Sequence, residues 1–162
     1  MSSLNKNQIH HLFLWTNLAV ITLGSLFIVY LAFFQGSNPI TLKTDTVKTV
    51  EPYYDDNGDY IPKRIFRTGE QLTYAFEFCK NTKIPAKMYG AYYDTVKIDM
   101  PVIEVSSAEG CQKRISDYYK IPAILPSGVY HFEVELVYQV NPLREVHVWY
   151  KTETFQIINN KK

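Results

Sequence analysis

Charged side chains are missing from one long stretch of this chain: no Asp, Glu, Lys or Arg lies between Lys6 and Lys43. Solvated segments of that length carry charge, so an ordinary surface helix or loop is excluded there. Cysteine is nearly missing as well, with Cys79 and Cys111 alone. Two thiols build neither a multiply bridged mini-protein nor a four-cysteine zinc site. Charge of one sign is not in excess either, because sixteen basic and sixteen acidic side chains follow residue 35. Without a basic surplus the chain lacks the electrostatic footprint of a nucleic-acid binder. No long amphipathic helical pattern follows residue 35, which argues against alternating α/β architecture.

The uncharged stretch itself holds an unbroken apolar run, residues 12–34. At about 1.5 Å per residue, roughly 20 such residues cross a hydrocarbon core of about 30 Å. Trp15 and Tyr30 sit toward its two ends, where amphipathic rings favour the headgroup level. The run leads into Leu31-Ala32-Phe33-Phe34-Gln35 without an A-x-A-like cleavage site, so residues 12–34 read as an uncleaved transmembrane signal anchor after a short cytoplasmic tail, 1–11. Asn17, Gly24 and Ser25 interrupt it without G-x-x-x-G spacing, as a lone anchor allows. Membrane lipid is therefore the first expected partner. Lys6 on one flank and Lys43 and Lys48 on the other barely decide orientation. The two cysteines help, since a pair in a small non-cytosolic domain most simply forms a disulfide, against the alternative of two thiols in a cytosolic domain. The expectation is a cytoplasmic N-terminus and an extracytoplasmic domain.

Residues 35–51, rich in Ser, Thr, Asn and Lys, read as a linker or stalk, or as a first edge strand. Residues 52–162 read as one all-β domain. Leu72, Tyr74, Phe76 and Phe78 alternate with polar or small residues, the period of a half-buried strand. Tyr130, Phe132, Val134, Leu136, Tyr138 and Val140 do the same, as do Val146, Val148 and Tyr150. Further strands are expected at 61–67, 87–93, 95–103 and 113–121, with turns at Asn57-Gly58, Pro85 and Gly110. Six to eight short strands without intervening helices favour an antiparallel sandwich. In the last hairpin, a connection over Asn141–Glu145 would set Val140 opposite Val146, Tyr138 opposite Val148 and His147 opposite Gln139. The phase reverses between Thr152 and Phe155, which calls for a β-bulge at 152–154.

Pro126-Ser127-Gly128-Val129-Tyr130-His131-Phe132 resembles the turn and start of strand F in immunoglobulin-like domains, where a corner Tyr precedes the disulfide cysteine by two positions. Phe132 occupies the cysteine's place, so the resemblance implies an immunoglobulin-like sandwich without its usual B–F bond. The outward phase of Cys79 then fits a peripheral staple to the loop carrying Cys111. Residues 128–144, with the Cys79-Lys80 and Gly110-Cys111 pairs, also resemble small membrane-anchored proteins of tailed bacteriophages that have no assigned activity. This implies a phage-encoded protein in the bacterial host envelope, periplasmic or at the cell surface, or less directly in the virion.

No catalytic constellation emerges. His131 and His147 would stand roughly 26 Å apart along the sheet, too far to share a metal ion. Asp55, Asn57 and Asp59 imitate the start of a calcium loop, but Gly58 is displaced and Phe66 stands at the closing Glu position, so an Asn-Gly hairpin explains them better. Glu133 and Glu135 share a strand face as exposed acids do. No cofactor or metal is called for. Exposed tyrosine supplies large, rigid contact area, and Tyr92, Tyr93, Tyr118, Tyr119 with the loop residues Asn141, Pro142 and Arg144 form the expected contact surface. The expected function is non-enzymatic: an anchored binding or scaffolding module whose β-domain engages another protein. The alternatives are a self-associating or virion component, and an envelope-acting hydrolase built on Glu133 or Glu135.

Overall fold

The computed structural model describes residues 6–34 and 38–159, with side chains from His10 onward among the first group. One helix, α1 (Lys6–Phe33), precedes thirteen strands: β1 (Ile40–Leu42), β2 (Thr46–Val47), β3 (Val50–Tyr54), β4 (Tyr60–Pro62), β5 (Ile65–Arg67), β6 (Gln71–Lys80), β7 (Ala86–Tyr93), β8 (Lys97–Asp99), β9 (Ile103–Val105), β10 (Gly110–Lys120), β11 (Gly128–Asn141), β12 (Arg144–Thr152) and β13 (Phe155–Ile158). The expected all-β class with one apolar N-terminal helix is present. Within α1, His10–Phe33 has a mean hydropathy of 2.0 and is long and apolar enough to cross a membrane. The helix begins six residues before the apolar run, so residues 6–11 of the expected tail are helical, while residues 1–5 lie outside the described part.

Two main sheets form. The smaller has the order β1-β6-β10, and the larger places β11 between β12 and β7, with β2 beside β12 and β8 and β9 beside β7. They stack through aromatic rings in a sandwich-like arrangement. Tyr74 of β6 meets Phe132 of β11 and Tyr150 of β12 at centroid distances of 6.4 and 5.9 Å, and Phe76 meets Tyr150 at 4.6 Å. Alternation placed these residues correctly: Leu72, Tyr74, Phe76 and Phe78 are buried from one sheet, and Tyr130, Phe132, Val134, Leu136 and Tyr138 from the other. Deep in the stack the Tyr74 and Tyr150 hydroxyls satisfy one another at 3.0 Å.

Residues 38–51 of the expected linker are not a stalk. Described from Asn38 on, they contribute β1 to the edge of β6 and β2 to the edge of β12, and Ile40, Val47 and Val50 are buried. Three apolar residues spaced irregularly in a polar context gave no period to read, yet each plugs one edge of the core. The β-domain therefore takes in residues from Ile40 on rather than beginning at Pro52. The edge-strand reading of this segment matches β1.

The last hairpin is tighter than expected. Tyr138 pairs with Val146, Leu136 with Val148, and Asn141 with Arg144, leaving only Pro142 and Leu143 in the turn. A register shift between Gln139 and Asn141 absorbs the extra residue, and a two-residue turn suits strands of native twist. His147 consequently lies opposite Val137, six positions from His131, or roughly 20 Å. The expected bulge after Tyr150 is present. Glu133 faces Lys151 and Tyr130 faces Phe155, so three steps on β11 match four on the other strand. Thr152 turns inward there, and its hydroxyl accepts the Phe132 N–H at 2.9 Å, replacing a lost ladder bond.

Cys79 and Cys111 are at bonding distance, 1.97 Å between sulfurs. They are direct cross-strand partners, so Cys111 lies on β10 and not in a loop as expected. Closing a loop of about 33 residues is worth roughly 3–4 kcal/mol on the chain-entropy model. Reduction, or Cys79→Ser with Cys111→Ser, is therefore expected to lower unfolding stability by about that amount. Urea denaturation of the two forms measures it.

Candidate functional site

Adjacent tyrosines on a strand must point to opposite sides, and they do. Tyr92 and Tyr119 are core residues, 0% and 4% exposed, and are removed from the contact surface. Tyr119 donates to the carbonyls of Met88 and Pro101 at 3.1 and 3.2 Å. Tyr92 has no hydroxyl partner among the described residues, and burial raises its pKa. Their neighbours face outward. Tyr93 stacks on His131 at 5.3 Å, and Tyr118 lies beneath the Arg114 guanidinium on the opposite sheet. The expected tyrosine cluster thus divides between two outer faces.

The outward face of β12-β11-β7 gathers the remaining candidates. Cross-strand register aligns Trp149, Glu135 and Tyr89 in one row, Lys151, Glu133 and Ala91 in the next, and His147, Val137 and Lys87 in a third. Trp149 is 58% exposed and Tyr89 40%. The acids between them are engaged: His147 Nδ1 lies 2.7 Å from Glu135 Oε1, and His131 Nε2 lies 3.2 Å from Glu133 Oε1. Beside them Lys97 bridges Asp99 at 2.8 Å, which raises the lysine's pKa, and rests over the Tyr93 ring. Trp149 was missed by sequence reasoning because the strand pattern drew attention to its inward neighbours. An outward Trp opposite an outward Glu was the available signal.

This face is shallow. Trp149 borders a hollow of about 220 Å³ with Asp45, Glu133, Tyr150 and Lys151, and one of about 50 Å³ toward Tyr89 and Tyr93. Between the sheets the cavity is about 30 Å³. That is water-sized rather than substrate-sized. Lys80 borders it, buried, with its ammonium donating to the Ser107 carbonyl at 3.1 Å; desolvation lowers its pKa. A broader hollow, about 580 Å³, is open and lies over the outer face of β1, β6 and β10 around the cysteine pair.

No protein-family model matches the chain, and no curated protein matches it. Asp55 accepts the backbone N–H groups of Asn57 and Asp59 at 3.0 and 2.7 Å, so the Asp55–Asp59 segment is a hairpin turn whose carboxylate is already engaged. Gly58 supplies the positive φ that turn needs. No group of three or more His, Cys, Asp or Glu able to hold a metal ion occurs among the described residues. Asn141, Pro142 and Arg144 lie at the β11–β12 tip, remote from the Trp149 row and beside the end of α1.

Proposed function

We propose that this chain is a single-pass membrane protein that displays an immunoglobulin-like domain outside the cytoplasm, where the Trp149 face binds another protein. The observation that carries the binding reading is Trp149 itself. A large apolar ring more than half exposed in mid-strand, flanked by Tyr89 and bridged acids, has the composition of an interface centre. Display follows from α1, whose span is 0% buried against the domain and whose apolar surface requires lipid.

The immunoglobulin-like reading is supported by strand order. β6 and β10 with β1 correspond to B, E and A, while β7, β11 and β12 correspond to C, F and G. Tyr130 donates to the Pro126 carbonyl at 3.1 Å, four residues upstream, as a corner tyrosine does. The bonded cysteines favour an oxidising compartment, and the likeness to tailed-phage proteins favours the host envelope.

Protease treatment and thiol labelling of intact producing cells test topology. Cleavage from outside with thiols labelled only after reduction is expected; protection with both thiols reactive would overturn it. Binding is tested by Trp149→Thr, which removes the exposed ring while keeping a strand-favouring residue opposite Glu135. It should abolish a crosslink that the parental chain forms, and an unchanged crosslink would remove Trp149 from the interface. Self-association is a second reading favoured by β12, whose outer edge has a strand neighbour only at Lys151 and Thr152. Sedimentation in detergent decides it.

A further inference from the structure

The β11–β12 tip meets the membrane helix. Asn141 Nδ2 donates to the Leu31 carbonyl at 2.7 Å. Leu31 lies in the last turn of α1, and the last carbonyls of a helix are the ones that take partners from outside it. The amide therefore acts as a tertiary cap, and it holds the two-residue turn against the end of the span. From Leu12 to Leu31 the helix covers about 30 Å, the thickness of a hydrocarbon core, which puts Leu31 at the boundary with the headgroups.

What the tip presents there is apolar. Pro142 is exposed, and Leu143 is 54% exposed with no core role. Phe33 and Phe34, at the adjoining helix end, are exposed as well. Two cations share this end of the domain. Arg144 follows the tip, and exposed Lys83 lies in the β6–β7 loop, which Asn81 ties to the chain leaving the helix by donating to the Asn38 carbonyl at 3.0 Å. An exposed apolar point beside the end of a span suits the boundary between headgroups and acyl chains.

We propose that Pro142-Leu143 is a second membrane contact: the tip seats in the lipid interface, and Asn141 locks it to α1, so the domain stands in one orientation on the bilayer. β11 then rises from the surface, its first residues roughly 40 Å away, with the Trp149 row part-way up and facing sideways. The inference rests on α1 spanning the membrane. It concerns a lipid contact and leaves the protein-binding face separate.

The test uses the full chain in phosphatidylcholine vesicles with and without brominated acyl chains, which quench nearby indoles. In a Trp15→Phe, Trp149→Phe background, Leu143→Trp should show emission at least roughly twofold weaker in brominated vesicles, since interfacial apolar groups bury about 5–10 Å deep. Val129→Trp in the same background, at the far end of β11, should be unaffected. Trp15 alone, in the Trp149→Phe chain, reports on the span independently. Quenched Trp15 with an unquenched Trp at 143 overturns the tip contact and leaves the anchor standing. Loss of both signals overturns both readings. Adding Asn141→Ala should loosen the lock and at least halve the quenching at 143; unchanged quenching would remove Asn141 from the lock.

Discussion

Raising the pH from 10 to 11 is expected to remove several kcal/mol of stability from the β-domain. Tyr92, Tyr119, Tyr138 and Tyr150 are buried, and desolvation is the largest cause raising each above the usual tyrosine value near 10. For Tyr119 and Tyr138 it reaches about 12. A group whose pKa is raised by folding stabilises the native state below the unfolded value, and that stability is lost as pH climbs toward the folded value. At pH 11 the unfolded chain gains roughly 1.4 kcal/mol from each of these four phenols, about 5.6 kcal/mol together. Domains of this size hold only about 5–15 kcal/mol in total. The buried tyrosines should therefore ionise only together with loss of the sheet signal in circular dichroism, and the urea midpoint at pH 11 should fall below that at pH 9. Smooth titration of all tyrosines around pH 10 with the fold intact would refute this account of the core.

Phe132→Ala is expected to cost about 3–5 kcal/mol, the range for deleting a buried aromatic ring. Phe132 is fully buried and touches Tyr74, Tyr92 and Tyr119, with centroids at 6.4, 4.6 and 5.3 Å. It also packs on Gly90. A Cβ there would stand 2.5 Å from Phe132 Cζ and 2.8 Å from Tyr119 Cε2, so this strand position takes only glycine without repacking. The ring thus joins both sheets, reaching from β11 to Tyr74 of β6. Relaxation of the tyrosines into the hole would move the cost toward 3 kcal/mol; rigidity keeps it near 5. Guanidinium denaturation of oxidised protein measures it, and a loss under about 1 kcal/mol would mean that Phe132 is not the keystone.

Much of this was legible from residue order because strand alternation is a local rule. Even positions from Tyr130 to Tyr138 had to share a face, and the reversal between Thr152 and Phe155 required an odd residue somewhere between them. The same rule split Tyr92 from Tyr93 and Tyr118 from Tyr119, but alternation cannot say which member is inside. That depends on which face meets the second sheet, and Gly90 and Phe132 settle it by admitting Tyr92 and Tyr119 beside them. The turn at Pro142-Leu143 and the placement of Cys111 on a strand also escaped, since Pro and Gly mark a break in the ladder without fixing its length.

By itself, then, the order of amino acids determined a charge-free span fit for lipid and a β-domain with known faces along each strand, because hydropathy and period act over a few residues. Only the tertiary structure decided that Ile40, Val47 and Val50 belong to the core, that Cys79 faces Cys111, that Trp149 stands outward beside Tyr89, and that Asn141 caps Leu31. Those are contacts between segments tens of residues apart, and they exist only where the stacking of two sheets brings the segments together.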